Sequence, residues 1–375
     1  MTIARIRGKK GWNTKLIKSA QAWAPLLEDT AGDDFDYGDV RIGHIDTGYV
    51  EHAVFGSWSD TGQSEHILVD SGMNLVDPER DPRPTDPIDG GLNPGHGTRI
   101  GSVMYGFAPG DWVGVAPRAP VVPYRAVTSV ALITPSDISR VADAIHHAVD
   151  SSFCSVINMS LGARPTINPW GAFRRAIKKL GTACDHAYNE GVIVVAALGN
   201  NVHDRATYPA KFWRSICAGG LEPEFDGDKL SDVEIWKPQD PALIGSDYQF
   251  VDIWAPADMI FRAKTQKRTP GTVQQHYSPE PDGDGSSYAA ASVSGTAAIW
   301  LARRGAEIGE LYKDNPWMVT EAFRSLLKTT AQGRPSDAPD ETDTGILDAK
   351  ALVEADLPDP ATLKFEDRES RDMWG

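Results

Sequence analysis

The sequence predicts an α/β fold: a three-layer αβα arrangement around a central, mostly parallel twisted sheet. Three observations carry this. Short continuous apolar runs alternate with amphipathic stretches of helical period, as in a parallel sheet covered on both faces. Polar residues capable of chemistry (Asp46, Ser160, Asn200) stand where apolar runs end, the end of such sheets at which ligands collect. At 375 residues with 41% hydrophobic content, the chain is long enough to bury the cores this architecture needs.

The elements follow in order. "VRIGHID" (40–46) reads as a strand, and so does "VVPYRAV" (121–127). The stretch "ISRVADAIHHAVDSS" sets apolar residues at 141, 144, 145, 148 and 149, the one-face spacing of a helix. His146 falls beside that stripe and His147 opposite it, so both are expected as solvated helix residues. "SVINMSLG" (155–162) is a buried strand entering a turn, and 173–191 is helical with Gly191 at a left-handed C-cap. "VIVVAALGNN" (192–201) is the most apolar strand. The polar stretches 51–92, 221–247 and 265–285 are expected as long surface connections. Residues 1–17 form a short basic extension, 18–354 the main domain, and 355–375 an acidic tail without apolar period.

Net charge is −15 with no basic stripe, which argues against nucleic acid as a partner. Three cysteines (Cys154, Cys184, Cys217) are too few for a disulfide scaffold and read as buried thiols. The N-terminus lacks the apolar core of a secretory signal, and no stretch reaches the roughly 18 apolar residues that span a bilayer. The expectation is therefore no membrane partner and a cytoplasmic location. A processed exported enzyme restarted with Met would read the same way.

Three segments carry chemistry. In "RIGHIDTGYV" Asp46 ends a strand just before a turn. In "NPGHGTRIGSVMYG" His96 opens a helix, where an imidazole suits general base work. In "DGDGSSYAAASVSGTAAIW" Ser287 lies on the first turn of a helix lined by small residues, close to backbone N–H groups able to hold an oxyanion. Asn200, after the strand "VVAAL", adds a side-chain amide donor.

Together, in the order Asp, His, Asn, Ser, these segments resemble the subtilisin-like serine protease family over residues 18 to 354, with "GVAPRAPVVPYRAV" and "ATYPAKF" as further similar stretches. The resemblance implies a serine endopeptidase acting on protein or peptide substrates, with Ser287 as nucleophile, His96 as general base and Asp46 orienting it. It further implies an oxyanion hole from Asn200 and the Ser287 N–H. Ser160, Leu161, Gly162 and Ala163 would form a substrate-binding edge, and Ala196, Ala197 and Leu198 an apolar specificity wall. By the same resemblance the Tyr208–Pro209 bond is cis. No cofactor and no catalytic metal are expected. Calcium is admitted only weakly, since "YGFAPGDW" offers one carboxylate, Asp111, and "PEPDGDG" is an acidic loop. Ser286, Tyr288 and Ala291 depart from the usual Thr, Met and Pro, and Arg99 replaces a frequent His.

Two alternatives stand against this reading. An aspartic-type protease needs two Asp-Thr-Gly loops with paired carboxylates, and the chain has one. A non-catalytic peptide- or partner-binding protein on the same fold is the other. The basic residues 1–16 are also considered as an intramolecular inhibitor, drawn toward Glu280, Asp282 and Asp284.

Overall fold

The structure is a computed structural model describing residues 10–27, 35–88, 92–108, 112–164, 171–200, 206–239, 245–267, 273–277, 281–339 and 343–372. Its strands are β1 (Ile42–Asp46), β2 (Met73–Asn74), β3 (Phe107–Ala108), β4 (Trp112–Val113), β5 (Val121–Arg125), β6 (Val156–Met159), β7 (Ile193–Ala197), β8 (Ile216–Asp226), β9 (Lys229–Ile235), β10 (Ile253–Pro256), β11 (Ala263–Lys267) and β12 (Val273–Tyr277). The helices are α1 (Trp12–Leu16), α2 (Ser19–Trp23), α3 (His96–Met104), α4 (Pro135–Asp150), α5 (Ala172–Asn189), α6 (Ser286–Leu311), α7 (Met318–Thr329) and α8 (Ala349–Glu354).

The central sheet runs β10-β8-β7-β6-β1-β5-β2, all parallel, with β9 added antiparallel to β8. β1, β6 and β7 are buried at every position, as expected of strands covered on both faces. Alternation along β1 sends Ile42 into the core shared with α3 and α6, and Ile45 into the core shared with α4 and α5. The three predicted layers are thus formed. β1 lies between β5 and β6, so the chain departs to opposite sides of it, and the crevice beyond its carboxyl end is where an open parallel sheet places a site.

Two expected polar connections prove to be hairpins. Residues 216–235 form β8 and β9 around Gly227 (φ +64°), whose Asp-Gly turn was a readable signal. β11 and β12 pair antiparallel across 263–277. Much of both hairpins is polar, so composition alone made them look like loops.

The two ends of the chain are built into the body where described. Trp12 is buried, its indole N–H donating to the Met259 carbonyl (3.0 Å), and Ile17 is fully buried. Residues 1–9 of the expected inhibitory extension lie outside the described residues. The expected acidic tail is held against the body from 355 to 372: Phe365 packs tilted against Tyr188 and edge-on to Trp317, and Ser370 N–H donates to Asp185 at 2.9 Å. No helix among the described residues is long and apolar enough to cross a membrane.

Candidate active site

The site begins with Asp46, the last residue of β1 and 1% exposed. Its Oδ1 accepts from the Thr47 N–H (2.7 Å), and both carboxylate oxygens lie 2.9 Å from His96 Nδ1. Burial acts to raise the Asp46 carboxyl. The charge and hydrogen bonding of His96, with His44 close by, override it and hold the group well below the ordinary carboxylate range. Nδ1 of His96 therefore faces an anion, which fixes the ring and leaves Nε2 as the outer nitrogen.

His96 is the first residue of α3. A second carboxylate, Asp86, ties this helix start to the Asp46 loop. Asp86 Oδ2 accepts from Thr47 Oγ1 (2.7 Å) and from the Gly95 N–H (2.6 Å), while Thr47 Oγ1 accepts from Gly97 N–H (3.1 Å). Gly97 is required for this close approach: a Cβ there would stand 2.1 Å from the Gly48 carbonyl oxygen. Arg99 donates to the Pro94 carbonyl (2.6 Å), bracing the turn before His96.

His44 precedes Asp46 by two residues, so strand alternation places both on one face. It is 4% exposed; Nδ1 lies 3.1 Å from the Tyr105 hydroxyl and Nε2 3.7 Å from Asp46 Oδ2. Burial, with the Asp46 charge adding, pushes the Tyr105 phenol up, so it is a neutral partner. The carboxylate is thus flanked by two imidazoles. Sequence reasoning read His44 only as a strand residue; its i−2 spacing from Asp46 was the available signal.

Ser287 is the second residue of α6, which packs against α3. The serine is 5% exposed. Its hydroxyl donates to the Ser160 carbonyl at 3.2 Å, and the Ser160 hydroxyl lies 3.0 Å from the Ser287 carbonyl. The resting serine is therefore turned to the end of β6 and not onto His96.

Asn200 follows β7. Its Oδ1 accepts from the Ser286 N–H (3.0 Å) and Ser286 Oγ (2.7 Å), and that hydroxyl accepts from the Gly199 N–H (3.1 Å). A backbone N–H can only donate, so the amide oxygen must face Ser286, leaving Nδ2 as the free polar end. Ser286, which stands where the resemblance expects Thr, is the residue that orients Asn200.

Ser287, Asn200, Ser160 and Ala197 line one cleft of about 320 Å³, with Val130 and Leu132 on another wall. Of the expected substrate-binding residues, Ser160, Leu161, Gly162 and Ala197 line this cleft. Ala163, Ala196 and Leu198 are buried behind it, at 0%, 0% and 2% exposure. The Ala163 N–H and carbonyl are taken by Tyr208, whose bond to Pro209 is cis. Both backbone groups of Gly162 are also taken: its N–H donates to Val130 and its carbonyl accepts from Leu132, each at 2.9 Å.

In the acidic loop considered for calcium, Asp282 pairs with Arg262 (3.3 Å) and Lys264 (3.1 Å), so its charge is already met by two cations. Asp111 and Glu280 lie outside the described residues. All three cysteines are buried, and burial pushes the Cys154 thiol up to about 12.

The chain is similar in sequence to known serine proteases. A thermophilic serine proteinase from Bacillus sp. (strain AK1) is 28% identical over 208 residues, covering 54% of this chain and 47% of the relative. Subtilisin NAT from Bacillus subtilis subsp. natto is 26% identical over 325 residues, covering 80% and 75%. The chain thus spans about half the length of the first of these relatives. Among solved structures, fervidolysin from Fervidobacterium pennivorans superposes with a TM-score of 0.61 at 22% identity, covering 96% of this chain and 48% of that one. MycP1 with its N-terminal propeptide removed gives 0.57 at 20%, covering 93% and 98%. At these identities the solved structures speak to the fold, which is the three-layer one described above. The family model of the subtilase family matches residues 38–352, from just before β1 into α8, and on that span the chain belongs to the subtilase family.

Proposed function

We propose that this chain is a serine endopeptidase hydrolysing protein or peptide substrates. The observation that supports this most is the buried Asp46 carboxylate bonded to His96 Nδ1, together with a cleft lined by both Ser287 and Asn200. In this reading the Ser287 hydroxyl leaves the Ser160 carbonyl and turns to His96 Nε2. The imidazole takes its proton as Oγ attacks the scissile carbonyl, then returns it to the leaving amine, and water repeats the cycle on the acyl-enzyme. Asp46 stays ionised throughout and stabilises the imidazolium. Negative charge on the carbonyl oxygen is met by Asn200 Nδ2 and by the Ser287 N–H, a first-turn amide without an intrahelical acceptor. Every step draws on side chains and backbone of the chain itself.

An extended substrate adding to the Ser160–Gly162 edge must take the place of Val130 and Leu132, which hold both backbone groups of Gly162. Substrate entry therefore includes lifting the 130–132 segment. Inhibition by residues 1–16 does not enter the proposal. The test is labelling by a serine-directed fluorophosphonate together with casein hydrolysis. Wild type should label at Ser287 and cleave, and Ser287→Ala should do neither. Equal hydrolysis by the two would defeat the reading.

A further inference from the structure

The crossover helices α4 and α5 pack side by side against one face of the sheet. Each runs from the carboxyl end of one strand back to the start of the next, so both C-termini lie at the end of the sheet away from the cleft. Three ligand-type side chains meet there. His146 and Asp150 are one turn apart on α4, and His186 lies in the last turn of α5. His186 Nε2 is 2.6 Å from Asp150 Oδ1, His146 Nδ1 is 3.9 Å from Asp150 Oδ2, and the two imidazoles face each other at 5.1 Å. One ligand atom from each of the three lies within 4.8 Å of the others.

We propose that His146, Asp150 and His186 form a binding site for a divalent transition-metal ion of the zinc class. Two imidazole nitrogens and one carboxylate suit such an ion, and water would complete its coordination. Inward rotation of half-exposed side chains is enough to bring the donors to the usual metal–nitrogen distance of about 2.0–2.1 Å. The backbone beneath them is rigid, since two packed helices carry it. Two helix C-termini converge on the site, and their partial negative charge favours a cation. The nearest cation, Lys179, is offset by its ion pair with Asp143 at 2.6 Å, and His147 turns away to the Tyr124 hydroxyl at 3.0 Å. On binding, the Nε2 proton that His186 donates to Asp150 is released to solvent, and the hydrogen bond gives way to two metal bonds. The site is separate from the cleft and stands whether or not the peptidase reading holds.

Calorimetric titration of the full chain with Zn²⁺, and in parallel with Ca²⁺, tests this. Wild type should bind one Zn²⁺ that His146→Gln or His186→Gln weakens by at least about tenfold and the double variant loses, with Ca²⁺ far weaker. Peptide hydrolysis measured without added metal should be the same in wild type and His146→Gln. The proposal is overturned by no Zn²⁺ binding, by unchanged binding in the double variant, or by Ca²⁺ binding as tightly as Zn²⁺.

Discussion

Ser286 offers the sharpest test of the oxyanion arrangement, because its hydroxyl and N–H hold the Asn200 amide oxygen. Ser286→Ala removes the 2.7 Å hydrogen bond to Asn200 Oδ1 and the acceptor for the Gly199 N–H, but keeps the 3.0 Å backbone bond. A net hydrogen bond is worth roughly 0.5–1.5 kcal/mol, so two lost bonds set a limit of about 1–3 kcal/mol. Loss of the whole amide in such a site costs roughly 2.7–4 kcal/mol in the transition state, which bounds the effect from above. With one anchor remaining, we expect kcat to fall about tenfold, equivalent to about 1.4 kcal/mol, with KM little changed. Ser286→Thr, which keeps a hydroxyl, should restore most of the rate. The assay is steady-state cleavage of a fluorogenic peptide by wild type, Ser286→Ala, Asn200→Ala and the double variant. If the hydroxyl acts through the amide, Ser286→Ala has no further effect once Asn200 is gone. An equal loss in both backgrounds would refute the argument.

Four further outcomes follow from the same geometry. Asp46→Asn should lower kcat by about 10⁴, because the wrong imidazole tautomer would face Ser287; peptide hydrolysis checks this, and a loss under tenfold contradicts the role. The folded Asp46 carboxyl is held below its unfolded value of about 3.9. Its stabilisation is thus fully present above that pH and lost only as pH falls further, so urea midpoints of wild type and Asp46→Asn should converge in acid. His44→Phe keeps the buried ring but removes the polar neighbour of Asp46, and should cost kcat about tenfold by the loss of one such contact; unchanged kinetics would make His44 a packing residue only. Gly97→Ala places a Cβ 2.1 Å from the Gly48 oxygen, and the forced displacement of His96 should cost about 10² in kcat. A fully active Gly97→Ala enzyme would mean that the loop yields without moving the imidazole.

Local information was enough for the layers of this protein and for singling out the residues proposed to react. Apolar runs without alternation marked β1, β6 and β7 as strands buried on both faces, and helical spacing marked α4 and α5, because burial acts on each short segment separately. Asp46, His96 and Ser287 were legible since each sits in a turn or helix start whose shape depends on adjacent glycines and small residues. The tertiary structure decided what these groups touch. His44 became the second neighbour of Asp46, Asp86 in a polar excursion became the tie between two loops, and Ser286 became the support of Asn200. The polar hairpin at 263–277, the anchored C-terminal stretch, and the meeting of His146 with His186 also appear only in the folded chain. Most of these are contacts between segments far apart in sequence, whereas that hairpin and the His44–Asp46 pair are local; in every case a polar residue looks the same in isolation whether folding delivers it to water or to a partner.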